Sequence, residues 1–247
     1  MIIHTHGDPN SPAIVLLHPM LLSGRIMYEM LGQKIPGSCF IISPDQAGHG
    51  EDRDEAFSPS RDAAELRQYL LSRGITRVEL LYAASMGGLT AMQLLKLGGI
   101  RFRAVHLDGI PLADSGPARR IIASLRMLVF WKKARKDLDA AARLVPYEFG
   151  RRMVDQLAGL PRRNVWRIGT LCASGCAVPL EERICGRMTF EWGEKEINLA
   201  EGRPLAEKLY PRARIIVREG LGHCSYMSQD PEAFAQELAD EIGSVPD

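Results

Sequence analysis

A chain of 247 residues with 46% hydrophobic and 25% charged residues has the make-up of a soluble globular protein with a sizeable core. Its formal net charge of +1 excludes a whole-molecule electrostatic bias toward nucleic acid or a membrane surface. No apolar run approaches the roughly 18 residues that span a bilayer, and the opening MIIHTHGDPNSP carries neither a basic nor an apolar leader. The five cysteines, at 39, 172, 176, 185 and 224, are odd in number and irregularly spaced. That argues against a disulfide framework and for a reducing, cytoplasmic setting. Cys172 and Cys176 have no second pair or histidine cluster after them, so no metal is expected there.

Taken in chain order, His4 and His6 alternate along the first strand and are read as solvent-facing. Almost continuously apolar runs at 13–18 (AIVLLH), 39–45 (CFIISPD), 78–85 (VELLYAAS) and 102–108 (FRAVHLD) predict strands buried on both faces of a mainly parallel sheet. Apolar residues three and four apart predict helices over 61–73 and 87–97. The next elements are strands at 187–192 (RMTFEW) and 213–219 (ARIIVRE), then a closing helix, PEAFAQELADEI, with Asp230 as N-cap and Pro231 in its first turn. This alternation implies right-handed crossovers and an open, doubly wound α/β sheet with helices on both faces.

Residues 112–186 break the rhythm, reading as several helices with no strand. The expected organisation is therefore a core of residues 1–111 and 187–247 with a helical cap, 112–186, inserted in it. Charge is unevenly divided: residues 117–167 hold 13 Lys and Arg against four acids (Asp137, Asp139, Glu148 and Asp155), a net +9, which leaves the remainder at −8.

In an open α/β sheet, functional groups gather at the carboxyl ends of the strands. Met20, Asp45, Ser85, Asp108, Glu196 and His223 each follow a predicted strand and share that edge. The pattern resembles the α/β-hydrolase fold family over nearly the whole chain. Ala83-Ala84-Ser85-Met86-Gly87 resembles its nucleophile elbow, usually G-x-S-x-G, with Ala83 in place of the first glycine. Such a turn lifts a serine above the sheet, and bulky side chains two residues either side would collide with the adjoining strand and helix. The resemblance implies Ser85 as nucleophile and, from GLGHCSYM, His223 as general base. It also implies an acid from WGEKEIN, which is similar to the family's G-x-x-D loop with Glu196 in the aspartate's place. Asp108 in VHLDGIP is the alternative acid, and Glu194 a further one.

An acyl-transfer site also needs donors for an oxyanion. The resemblance implies the backbone amides of Met86 and of Met20 in His18-Pro19-Met20, where Pro19 has no N–H and reshapes the loop. His18 is read as a structural, hydrogen-bonded histidine. SPDQAGHGED resembles the family's D-x-x-G-H-G loop and reads as scaffold, with Gly48 and Gly50 at positive φ and Asp45 bonding backbone amides; a substrate contact from His49 stays open. No metal or organic cofactor is implied, and nothing matches a Walker A loop or a dinucleotide fingerprint.

The resemblance makes the helical insertion a lid over the nucleophile. Ile121, Ile122, Leu125, Met127, Leu128, Val129, Phe130 and Trp131 form an apolar helix that can roof an acyl pocket or simply bury its own face. Trp131 and Trp166 add apolar surface, and the +9 excess attracts an anionic substrate or is a solvated outer face. The implied function is a carboxylesterase-like serine hydrolase that cleaves a small or medium ester through an acyl-enzyme. Thioesterase, acyltransferase, C–C hydrolase or lyase chemistry uses the same residues, and a non-catalytic ligand-binding protein on this fold is the alternative of another class. The expected partner is a small-molecule ester or thioester, with no nucleic acid or membrane partner and oligomeric state open. Serine, acid and histidine all stand in the family's order, which favours an enzyme.

Overall fold

The structure, a computed structural model, describes residues 1–145 and 149–244. Glu148, counted in the basic segment above, lies outside them. Among the described residues, seven strands form one sheet in the order β1-β3-β2-β4-β5-β6-β7, comprising β1 (Ile2–His6), β2 (Ala13–Leu17), β3 (Phe40–Asp45), β4 (Arg77–Ala84), β5 (Arg101–Asp108), β6 (Met188–Gly193) and β7 (Arg214–Arg218). Only β1 pairs antiparallel, with β3; the other five pairings are parallel. The fold is the expected α/β one.

Strand interiors are apolar on both sides because helices cover both faces. Leu81 and Ala83 of β4 face one cluster with α2 (Pro59–Ser72), α3 (Gly87–Leu97) and α9 (Leu199–Leu209). Leu80, Tyr82 and Ala84 face the other, with α1 (Gly24–Met30), α10 (Ser225–Gln229) and α11 (Pro231–Ser244). Each fully buried Leu or Ile in these clusters contributes roughly 1.5–3 kcal/mol relative to exposure. The closing helix starts as its sequence predicts, the Ala233 N–H donating to Asp230 Oδ1 at 3.1 Å. Helix α1 has no counterpart among the expected elements; Ser23 Oγ caps it by accepting from the Ile26 N–H at 3.2 Å.

Among the described residues, five helices lie between β5 and β6: α4 (Gly116–Lys136), α5 (Leu138–Ala142), α6 (Gly150–Gly159), α7 (Arg162–Cys172) and α8 (Glu182–Cys185). Their buried side chains, including Trp131, Val154, Leu157 and Ile168, belong to the same cluster as α2 and α3. Polar bonds fasten α7 to the loop after β3: buried Asn164 Nδ2 donates to the carbonyls of Arg53 at 3.0 Å and Glu55 at 2.8 Å.

Two expectations are corrected here. The apolar residues of α4 do not roof a pocket over the nucleophile. Ser124, Leu128, Trp131 and Ala134 form the buried face of this helix. Ile121, Ile122, Leu125 and Val129 lie round the helix from that face and are 47–69% exposed. With Phe130 and Leu144, Ile122, Leu125 and Val129 line an outer groove of their own. His4 and His6 are half-buried rather than solvent-facing, because α1 covers that side of β1. The His6 ring stacks on Tyr28 at 3.4 Å, and His4 Nε2 lies 3.1 Å from Asp45 Oδ2. No described helix is long and apolar enough to cross a membrane.

Candidate active site

Strand β4 delivers Ser85 from between β2 and β5, with Ala83 and Ala84 fully buried. Ser85 adopts φ +47°, in the left-handed region that costs an L-residue roughly 1–2 kcal/mol. The surroundings hold it there: its N–H donates to the Asp108 carbonyl at 2.7 Å, and its carbonyl accepts from the Gly88 N–H at 3.0 Å. A Cβ on Gly87 would sit 2.6 Å from the Leu17 carbonyl oxygen, so the second residue after the serine has to be glycine for α3 to start against β2. Ala83, in place of the elbow's other glycine, packs into the core with its methyl group accommodated.

Two loops bring the partners. After β6, the Gly193 N–H donates to Glu196 Oε1 at 2.8 Å, folding that carboxylate back under the sheet edge. After β7, the chain turns at Cys224, with φ +48°, and presents the ring of His223. The loops are joined by Glu194 N–H to Arg218 O at 2.9 Å and Lys195 N–H to Leu221 O at 3.0 Å. This approach requires Gly193, where a Cβ would lie 2.3 Å from the Gly222 carbonyl oxygen.

His223 Nε2 stands 2.8 Å from Ser85 Oγ, and its Nδ1 stands 2.7 Å from Glu196 Oε2. An ionised carboxylate only accepts, so in the neutral ring Nδ1 carries the proton and Nε2 is left to accept from the Ser85 hydroxyl. The Glu196 side chain is 1% exposed and that of His223 41%. The acid is thus sealed in, while the base opens to the cavity. Burial lowers the His223 pKa, but the hydrogen bond and charge of Glu196, with the charge of Asp108 added, outweigh it and leave the imidazole above its ordinary value.

The other carboxylates are turned elsewhere. Asp108 is buried at the end of β5 and accepts from the Tyr82 hydroxyl at 2.9 Å through Oδ2. Burial, then the charge of Glu191, pushes its carboxyl up to about 7, against the opposing pull of His106 and of the Tyr82 bond. Glu194 accepts from the Gly220 N–H at 2.8 Å. Asp45 accepts from the amides of Gly24 at 2.7 Å and Glu51 at 2.8 Å, as scaffold. His18 is fully buried; its Nε2 accepts from the Gln46 N–H at 3.0 Å and its Nδ1 lies 2.8 Å from the Pro19 carbonyl. His49 is also fully buried, against His18 and Phe57, and burial pushes it down to about 3. It has no part in the cavity at Ser85.

That cavity measures about 90 Å³. Met20, Leu22, Met30, Phe149, Met153 and Met227 surround Ser85 and His223 there, so the wall is almost wholly apolar. Met20 lies in the loop after β2 and Met86 follows the serine; among the described residues no protein acceptor takes either backbone amide. Of the wall, Met20 alone was singled out from the sequence. Leu22, Met30, Phe149, Met153 and Met227 come from four separate stretches, and only Leu22, two residues after Met20, and Met227, one turn after His223, lie close in sequence to a candidate site residue.

The model of the alpha/beta hydrolase family matches residues 14–237. No curated protein matches the chain. Among solved structures, it is similar to an alpha/beta hydrolase family protein from Desulfitobacterium hafniense, 18% identical with a TM-score of 0.75, covering 96% of this chain and 98% of that one. An esterase from a marine microorganism is 16% identical with a TM-score of 0.74, over 97% and 98% of the two chains. An esterase from Rhodococcus sp. ECU1013 is 18% identical with a TM-score of 0.72, over 99% and 94%. Identities this low carry the fold alone, while the family model spans most of the sequence and takes in both the serine turn and the histidine loop. The chain belongs to the alpha/beta hydrolase family.

Proposed function

We propose that this protein is a serine esterase acting on small carboxylic esters, with Ser85 as nucleophile, His223 as general base and acid, and Glu196 orienting His223. The observation that carries the reading is the continuous line of hydrogen bonds Ser85–His223–Glu196, at 2.8 and 2.7 Å, ending in an apolar cavity. His223 Nε2 takes the Ser85 proton as Oγ attacks the ester carbonyl. The resulting oxyanion is held by the Met20 and Met86 amides. Collapse expels the alcohol, which receives the proton from His223, and a water activated by the same nitrogen then releases the acid from the acyl-serine.

The small, almost wholly apolar cavity of about 90 Å³ beside Ser85 favours a short acyl chain. The inserted segment acts as the lid through the start of α6, where Phe149 and Met153 are the surfaces that meet the acyl group. Five unpaired cysteines fit a reducing, cytoplasmic setting.

The test is labelling by a fluorophosphonate probe of wild type and Ser85→Ala, with hydrolysis of p-nitrophenyl acetate, butyrate, octanoate and decanoate. The expected result is labelling of wild type alone and rates falling beyond butyrate. A folded wild type that neither labels nor hydrolyses any ester overturns the proposal.

A further inference from the structure

The opposite edge of the sheet carries a second concavity. A groove of about 540 Å³ lies at the amino ends of β4 and β5 and just ahead of β6, bounded by the turn after α3 and by residues 179–187. The eight residues of β4, at about 3.3 Å each, separate it from Ser85 by roughly 25 Å. Its apolar surface comes from Leu95, Ile100, Phe102, Leu180 and Ile184.

Charge in the groove is one-sided. Lys96, Arg101, Arg183 and Arg187 line it against a single acid, Glu181. That acid is taken: Arg183 Nε donates to it at 2.5 Å. Nearby carboxylates are committed outside the groove, Glu79 to Arg77 and Arg103, and Glu182 to Arg212 at 3.5 Å. Among the described residues nothing neutralises Lys96, Arg101 or Arg187. Arg187 is the most exacting of the three, because its Nη1 is buried without an acceptor. A guanidinium that is partly desolvated, and has no counter-ion among the described residues, is an unfavourable arrangement that an incoming anion relieves.

We propose that this groove binds a small amphiphilic anion, a carboxylate or phosphate carried on an apolar body, with Arg187 as its anchor and Lys96 and Arg101 as its rim. The planar guanidinium suits the paired oxygens of either group. Phe102 and Ile184 supply apolar surface for the body, and the volume falls within the ~300–1,000 Å³ of small-molecule sites. The site is independent of the chemistry at Ser85.

The test is a titration of the 15N-labelled full chain with phenyl phosphate, benzoate and neutral benzyl alcohol, read at the amides of Gly98, Gly99 and Arg101. Saturable shifts with the anions and none with benzyl alcohol are expected; phosphate alone or carboxylate alone upholds the site and names its anion. Arg187→Gln should weaken binding by about tenfold or more, the worth of a charge-assisted bond. Its melting temperature should equal or exceed that of wild type, because a charge with no partner has been removed, and p-nitrophenyl acetate hydrolysis should be unchanged. If that variant does not fold, Lys96→Gln/Arg101→Gln, at exposed positions, must weaken binding instead. Equal shifts with benzyl alcohol, wild-type affinity in the folded variants, or shifts confined to α4 or the Ser85 cavity overturn the proposal.

Discussion

Replacing Glu196 with glutamine changes one atom and probes the whole proton path. Glu196 uses both oxygens: Oε1 accepts from the Gly193 N–H at 2.8 Å and Oε2 faces His223 Nδ1 at 2.7 Å. Glutamine has one acceptor for two donors. If its oxygen stays with Gly193, its NH₂ group faces Nδ1 and drives the ring proton onto Nε2, where it opposes the Ser85 hydroxyl and blocks proton abstraction. If the oxygen turns to His223, the NH₂ group meets the Gly193 N–H and leaves a buried donor unpaired, a cost of about 1–3 kcal/mol. The wrong tautomer in a serine triad lowers kcat by about 10⁴, so Glu196→Gln should lose about 10³–10⁴-fold in kcat/KM, or ~4–5.5 kcal/mol of transition-state stabilisation.

The pH profile adds a second reading. Glu196 holds the His223 pKa above its ordinary value, so wild-type activity should rise only as pH passes that raised value and the ring loses its proton. Without the negative charge the imidazolium is less stable, and the rising limb of the variant should move to lower pH. The assay is kcat/KM for p-nitrophenyl acetate between pH 5 and 9, with circular dichroism to verify folding. A folded Glu196→Gln within tenfold of wild type, its limb unmoved, would refute the reasoning and make Asp108→Asn the next variant.

Met153→Ala should widen the cavity by three side-chain atoms and shift the preferred p-nitrophenyl ester about two carbons longer, measured as the ratio of kcat/KM for hexanoate to acetate. Asp108→Asn should keep ester hydrolysis within tenfold and flatten the pH dependence of stability. The folded carboxyl titrates at about 7 and the unfolded one near 4, so this group favours folding below pH ~4 and loses that contribution as pH rises through 7. Urea unfolding at pH 5 and 8 reads the difference, and equal pH dependence in both proteins would contradict it. Gly193→Ala should part the two loops that carry Glu196 and His223, since the added Cβ meets the Gly222 carbonyl oxygen at 2.3 Å. A displacement near 1 Å costs about 10²-fold in rate, so steady-state kinetics at near-wild-type activity would count against the close approach.

The strands were legible in the sequence because a parallel strand buried on both faces must be apolar at successive residues, as 13–17 and 80–84 are. Ser85 was legible for a steric reason: the contact of Gly87 with Leu17 admits no side chain two residues after the left-handed serine, and that leaves a readable signature. Helix α1 was missed because seven residues with two buried side chains, Met27 and Met30, carry too little periodicity to register.

The resemblance of WGEKEIN to the family's loop pointed to Glu196, but Asp108 and Glu194 stayed open, because each follows a strand and all lie at one sheet edge. Tertiary structure separated them by aim: Glu196 folds back under Gly193 to face His223, Asp108 turns to Tyr82, and Glu194 turns to Gly220. The face that α4 presents was likewise a matter of packing, since α7 takes the Ser124–Leu128–Trp131 side and leaves Ile122, Leu125 and Val129 outward. By itself the sequence determined the sheet, the strained serine and the order of serine, acid and histidine, because local sterics and burial write themselves into neighbouring residues. Which carboxylate faces the imidazole, and which side chains shape a cavity of about 90 Å³, only the tertiary structure decided, because those contacts join separate loops and helices, 27 positions apart for Glu196 and His223 and 138 for Ser85 and His223.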